Sequence, residues 1–176
     1  APFIVFDDAD LDAAVEGAML AKMRNIGEAC TAANRFIVHR SVAEEFSSRL
    51  ADRMGAMTVG RGTGDGVEVG PLVETKQRDK VASLVDDAVA KGAVVRTGGE
   101  TPDGEGAFYP PTVLTDVSTD ADLYRDEIFG PVAPVFTFDD LDDAIAMAND
   151  TEYGLVAYAF TESLSTVLTL SERLDT

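Results

Sequence analysis

The chain is poor in the residues that mark several functional classes. Among its 176 residues there is one cysteine, one histidine and no tryptophan. A lone cysteine closes no intramolecular disulfide, which suits a reducing compartment, and the cytoplasm is the expected location. Basic residues are scarce: 14 Lys and Arg stand against 32 Asp and Glu, for a formal net charge of −18. Such a field repels phosphate backbones and anionic bilayers, so neither nucleic acid nor a membrane is an expected partner. No apolar run reaches the roughly 20 residues needed to span a bilayer, and no signal-peptide pattern opens the chain.

The abundant acids do not read as a metal site. A cation tract needs carboxylates clustered at fixed spacing. Asp7-Asp8-Ala9-Asp10 and Asp139-Asp140-Leu141-Asp142-Asp143 instead sit where helices are expected to begin, where the helix dipole favours negative charge. The acid excess reads as a solubility-tuned surface, and no metal is expected.

The apolar periods alternate between strand and helix. Strands are predicted at residues 3–6, 35–39, 93–96, 112–114, 131–138 and 155–161. Helices are predicted over residues 10–23, 75–91, 139–148 and 163–174, the second ended by Gly92. Ser41-Val42-Ala43-Glu44 has the form of a capping box and opens a further helix carrying Phe46 and Leu50. This alternation predicts an α/β domain with a mainly parallel sheet and helices on both faces. The chain enters a strand almost at once and stops straight after a helix, so residues 1–176 read as one domain of a longer protein.

Two local features have bland explanations. His39 falls at a predicted strand end and reads as structural. The glycine-rich segment from Gly60 to Gly66 lacks the Gly-Lys-Ser/Thr ending of a phosphate loop and does not lead into a helix, so it reads as a surface turn.

The single cysteine lies in Met23-Arg24-Asn25-Ile26-Gly27-Glu28-Ala29-Cys30. A lone cysteine is either a buried structural thiol or a nucleophile, and a nucleophile works as the thiolate. Gly27 permits a tight turn, and residues 28–33 can open a helix whose N-terminus would favour the thiolate. A thiolate adding to a carbonyl makes an oxyanion, which needs preorganised donors. The Asn25 side chain and the Cys30 backbone N–H are the candidates. A Cys–His hydrolase without a cofactor is the alternative, and it requires His39 beside Cys30.

Asn25-x-Gly27-Glu28-x-Cys30 followed by Ala33-Asn34-Arg35 resembles the cysteine signature of the aldehyde dehydrogenase superfamily. Asp126-Glu127-Ile128-Phe129-Gly130-Pro131-Val132 resembles a second fingerprint of that family. Asn149 with Tyr153-Gly154-Leu155 resembles a third, and Val69-Gly70-Pro71-Leu72 a fourth. The resemblance implies that Cys30 attacks an aldehyde, that Asn25 helps hold the oxyanion, and that hydride passes to NAD or NADP. A thioester on Cys30 is then hydrolysed. It further implies that Glu127 binds the nicotinamide ribose and Phe129 lies beside the nicotinamide. The family's general-base glutamate and its cofactor domain would lie ahead of Ala1, so these residues alone are expected to be inactive. Glu28 stands where many members have Gln and is expected to be structural.

Arg24 points to the substrate. Members acting on succinate semialdehyde resemble this chain in placing Arg six positions before the cysteine, where a guanidinium can bind a distal carboxylate. Another semialdehyde, a betaine aldehyde or an aliphatic aldehyde is the alternative within the family. Some semialdehyde dehydrogenases carry a second cysteine two residues after the nucleophile as a redox switch. Here that position is Ala32, so no switch is expected. Members assemble as homo-oligomers, so a dimer or tetramer is expected of the whole protein.

Overall fold

Six strands form one sheet in the order β3-β4-β5-β2-β1-β6. They are β1 (Pro2–Val5), β2 (Arg35–His39), β3 (Val94–Thr97), β4 (Thr112–Thr115), β5 (Val132–Phe138) and β6 (Tyr158–Phe160). All neighbours are parallel except β3, which pairs antiparallel with β4 at one edge. The structure is a computed structural model and describes residues 1–175. Six helices cover the sheet: α1 (Leu11–Met23), α2 (Arg40–Gly55), α3 (Thr75–Ala90), α4 (Asp122–Arg125), α5 (Leu141–Asn149) and α6 (Leu164–Arg173).

The apolar runs of β1, β2 and β5 follow from burial on both faces. Phe3, Val5, Phe36, Val38, Ala133 and Val135 point to one side, against α1 and α2. The intervening Ile4, Ile37 and Phe138 point to the other, against α5 and α6. Farther along that second face, Leu114, Val132 and Phe136 pack with Val81, Leu84 and Val85 of α3. The two-residue period of a strand sends alternate side chains to different helix layers. The expected α/β architecture is what forms.

The acid runs do start helices. The Asp10 side chain accepts the N–H groups of Asp12 and Ala13, and Asp140 accepts that of Asp143. Asp10→Ala should lower stability by about 1 kcal/mol, the usual worth of an N-cap, as read by urea unfolding. A midpoint unchanged from wild type would show that the cap contributes nothing.

The capping box at Ser41 does not form. α2 begins one residue earlier, and its cap is His39, whose Nδ1 accepts the Ser41 N–H at 3.3 Å. The expected helix over residues 28–33 is also absent: that stretch is a string of turns. The short α4 was not expected from the sequence, because four residues give no helical period to read.

Candidate functional site

The segment carrying Cys30 is shaped by left-handed backbone. Helix α1 stops at Met23, and Asn25, Ile26 and Gly27 follow with φ of 61°, 51° and 80°. Positive φ is uncommon for non-glycine residues and an outlier for a β-branched one, so local bonds must hold it. Glu28 N–H donates to Asn25 O at 2.9 Å, and Asn25 Nδ2 donates to Glu28 O at 2.6 Å. The Glu28 carboxylate accepts the Val73 N–H at 3.1 Å, which ties the turn to the segment after Pro71. Gly27 is required twice over: its φ suits glycine, and a Cβ there would run into the Gly130 carbonyl.

Beyond the turn the chain is pinned just after the thiol. Tyr158 Oη donates to Thr31 O at 3.0 Å, and Ala33 N–H donates to Ala21 O at 3.1 Å. Cys30 itself is exposed. Among the described residues its backbone N–H has no acceptor. With no helix opening at Glu28, the expected helix N-terminus is not beside the thiol.

Cys30 lines a cavity of about 250 Å³ together with Glu127, Arg35, Tyr124, Tyr153 and Leu155. Two of the expected site residues, far apart in sequence, thus meet on one surface. Arg24, Asn25 and Phe129 do not line this cavity. Asn25 spends one amide N–H on its own turn. Arg24 is exposed, and with Arg61 it is an arginine that makes no ion pair or side-chain hydrogen bond among the described residues. Phe129 is half-buried with φ 52°, in the loop packed against Gly27.

Sequence reasoning missed the far wall of the cavity. The Arg35 guanidinium donates to Met147 O and Ala148 O, closing the C-terminal turn of α5, and lies 5.4 Å from the Tyr124 ring centre. Arg125 covers the same ring at 5.6 Å and holds Asp150 with two bonds of 3.0 Å. Burial, with Asp150 adding to it, pushes the Tyr124 hydroxyl above its ordinary range. Arg35 of the cysteine signature and the motif with Tyr153-Gly154-Leu155 carried the sequence signals for this wall. Asn149 of the same motif is elsewhere, bonding Arg173 O and Asp175 N–H at the end of α6.

His39 sits at the opposite end of β2 from the Cys30 segment, five strand residues away at about 3.3 Å each. Its Nδ1 faces Ser41 and its Nε2 faces Asp139 O at 3.2 Å. The Cys–His hydrolase reading therefore lacks its base. Among the described residues no three of His, Cys, Asp and Glu are grouped to hold a metal, and no helix is long and apolar enough to cross a membrane.

An exposed thiol on a cavity shared with a carboxylate, where β1 and β2 begin in a mainly parallel α/β sheet, defines a class that comparison makes definite. The profile described as the aldehyde dehydrogenase family matches residues 1–176, and the chain belongs to that family. The succinate-semialdehyde dehydrogenase of Paenarthrobacter nicotinovorans is 55% identical over 175 residues, 99% of this chain and 39% of that protein. The NADP(+) succinate-semialdehyde dehydrogenase of Escherichia coli K12 is 46% identical over 99% of this chain and 36% of that protein. A crystal structure of succinate-semialdehyde dehydrogenase from Burkholderia pseudomallei superposes with a TM-score of 0.96 at 47% identity, covering 99% of this chain and 36% of that one. The chain thus spans little more than a third of the length of these relatives.

Proposed function

We propose that residues 1–176 are the nucleophile-bearing domain of an enzyme that oxidises succinate semialdehyde to the acid with NAD or NADP. The observation that carries this reading is the exposed Cys30 thiol on one cavity with the Glu127 carboxylate. A carboxylate suits the two hydroxyls of a ribose, and its place beside the thiol fits a nicotinamide riboside within reach of the reacting carbon. The bound nicotinamide supplies a hydride acceptor.

The chain's own residues do the rest. The Cys30 thiolate adds to the aldehyde carbon, and the carbonyl electrons move to oxygen. The Cys30 N–H, which has no acceptor among the described residues, meets that oxyanion. The remaining Asn25 N–H is the second donor in this proposal, while its first N–H keeps the turn in shape. Loss of hydride leaves a thioester on Cys30, and water releases the carboxylic acid and the thiol. Arg24, which has no ion-pair partner among the described residues of a strongly acidic protein, is the cation for the distal carboxylate. The names of the relatives support that substrate, and the whole protein's activity in the cytoplasm as a dimer or tetramer belongs to the same proposal.

Arg24→Ala, made in the complete enzyme containing this chain, separates substrate from chemistry. The KM for succinate semialdehyde should rise about 10- to 100-fold, the worth of roughly 1.5–3 kcal/mol for a charge-assisted hydrogen bond. The KM for propanal should stay within about twofold. Equal effects on both aldehydes would remove Arg24 from substrate recognition.

A further inference from the structure

Residues 25–30 carry the thiol and its oxyanion donors, yet few polar contacts hold them from outside. The bond from Glu28 N–H to Asn25 O and the bond from Asn25 Nδ2 to Glu28 O both lie within the turn. They set its shape and not its place in the fold. Ile26 and Gly27 pack against the core and Gly130, contacts that carry little direction. Among the described residues one hydrogen bond links this stretch to a distant segment. Val73 N–H donates to Glu28 Oε1 at 3.1 Å, across 45 positions of sequence.

The donor of that bond is itself anchored. Leu72 is buried in one cluster with Val81, Leu84 and Val85 of α3, and its N–H donates to Ala107 O at 2.9 Å. Helix α3 begins two residues after Val73, with Glu74 at its cap position. The Val73 N–H thus stands between a core residue and a helix start, while its own side chain is exposed. The motif Val69-Gly70-Pro71-Leu72, which the reaction scheme leaves unused, leads straight into the amide that Glu28 grips.

Glu28 therefore joins a fixed amide to the Asn25 side chain. The two N–H groups of a carboxamide share one plane, so a bond through one sets the direction of the other. The Asn25 N–H that bonds Glu28 O orients the second, which is the oxyanion donor of the mechanism. Such donors act only while aimed at the developing charge, and a shift of about 1 Å can cost about 100-fold in rate. We propose that Glu28 is a positioning residue for the oxyanion site: its carboxylate, held by the Val73 N–H, fixes the turn that aims the Asn25 and Cys30 N–H groups at the aldehyde oxygen. This rests on the reading of Asn25 as an oxyanion donor. Glu28 does not touch the reacting atoms in this role. It needs one acceptor oxygen, which a Gln side chain also provides.

Glu28→Met keeps the side-chain length and removes the acceptor, whereas Glu28→Gln keeps an acceptor and removes the charge. Both are made in the complete enzyme. Asn25→Gly is the control, because glycine suits the φ of 61° and carries no donor. Glu28→Met should lower kcat for the aldehyde about 10- to 100-fold, and Glu28→Gln should restore it to within about threefold of wild type. Asn25→Gly should lower kcat about 100-fold. In both Glu28 variants the KM values should stay within about twofold, as for an interaction felt mainly in the transition state. So should the rate of iodoacetamide alkylation of Cys30, a displacement at saturated carbon that forms no oxyanion. An unchanged kcat in Glu28→Met, while Asn25→Gly loses turnover, overturns the brace and leaves the oxyanion reading standing. Full turnover in Asn25→Gly removes the oxyanion reading, and the brace with it. Equal losses in Glu28→Met and Glu28→Gln trace the effect to the charge and reject the brace. A joint fall of kcat, aldehyde affinity and alkylation rate in Glu28→Met shows general loosening and rejects it as well.

Discussion

Cys30→Ala should lower kcat of the complete enzyme by on the order of 10⁴-fold or more, the scale on which removal of a covalent nucleophile is felt. The effect should be confined to chemistry. Cys30 is exposed, so alanine opens no cavity and leaves the melting temperature unchanged. The turn before it is held by Asn25, Glu28 and Val73, none of which the substitution touches. Cys30→Ser should fare little better. A hydroxyl needs an adjacent base to become a nucleophile, and His39 stands at the far end of β2, engaged with Ser41 and Asp139. For the same reason His39→Ala should keep turnover within about twofold. Turnover of Cys30→Ala within tenfold of wild type would exclude Cys30 as the nucleophile, whatever the family. Because the chain has no other cysteine, thiol alkylation within it reads this one side chain.

The elements legible in the sequence are those whose burial is regular. β1, β2 and β5 are buried on both faces, so their residues form continuous apolar runs, and their predicted limits lie within a residue of the observed ones. The turn around Cys30 was misread for a physical reason. A helix at residues 28–33 satisfies local propensity, but left-handed Asn25, Ile26 and Gly27 aim the chain into turns tied to Val73, Tyr158 and Ala21. Those ties are long-range, and no local window contains them. His39 displaced Ser41 as the cap of α2 because the end of β2 already places its ring beside Asp139 and Phe138.

The site was legible to the extent that short motifs carry it. Cys30 and Glu127 were expected together and share a cavity. The Tyr124 wall, with Arg35 and Arg125 both over its ring, is assembled from β2, α4 and the loop after α5, so no single local window contains it. The partners of Lys22 were equally hidden. Lys22 lies on the buried face of α1 with Ala14, Val15 and Ala18, but the groups that receive its ammonium, Gly130 O and Asn34 Oδ1, lie outside any local window.

That burial gives the chain a pH dependence of known sign. Burial lowers the Lys22 pKa from an ordinary 10.5 to about 7, with Glu127 pulling it back upward. The unfolded chain keeps the proton to about pH 10.5, and the folded chain releases it near pH 7. Between these values the unfolded state binds more protons, so stability rises with pH by about 1.4 kcal/mol per unit. The full span approaches ~5 kcal/mol, and below pH 7 both states are protonated and the contribution is flat. The Ala1 amine, which burial lowers from 8.0 to about 6, adds its own rise between about pH 6 and pH 8, equally in wild type and in a Lys22 variant. In Lys22→Met the part of the slope that Lys22 supplies should vanish. Methionine keeps the stem packed, and Gly130 O retains the Val132 N–H. Urea unfolding of both proteins at pH 7 and pH 9 should show the stability difference moving by about 2 kcal/mol in favour of wild type as pH rises. Curves that stay parallel from pH 7 to pH 9 would mean that Lys22 remains charged in the folded protein, held by Glu127 and by Asn34 and Gly130 strongly enough to outweigh its burial.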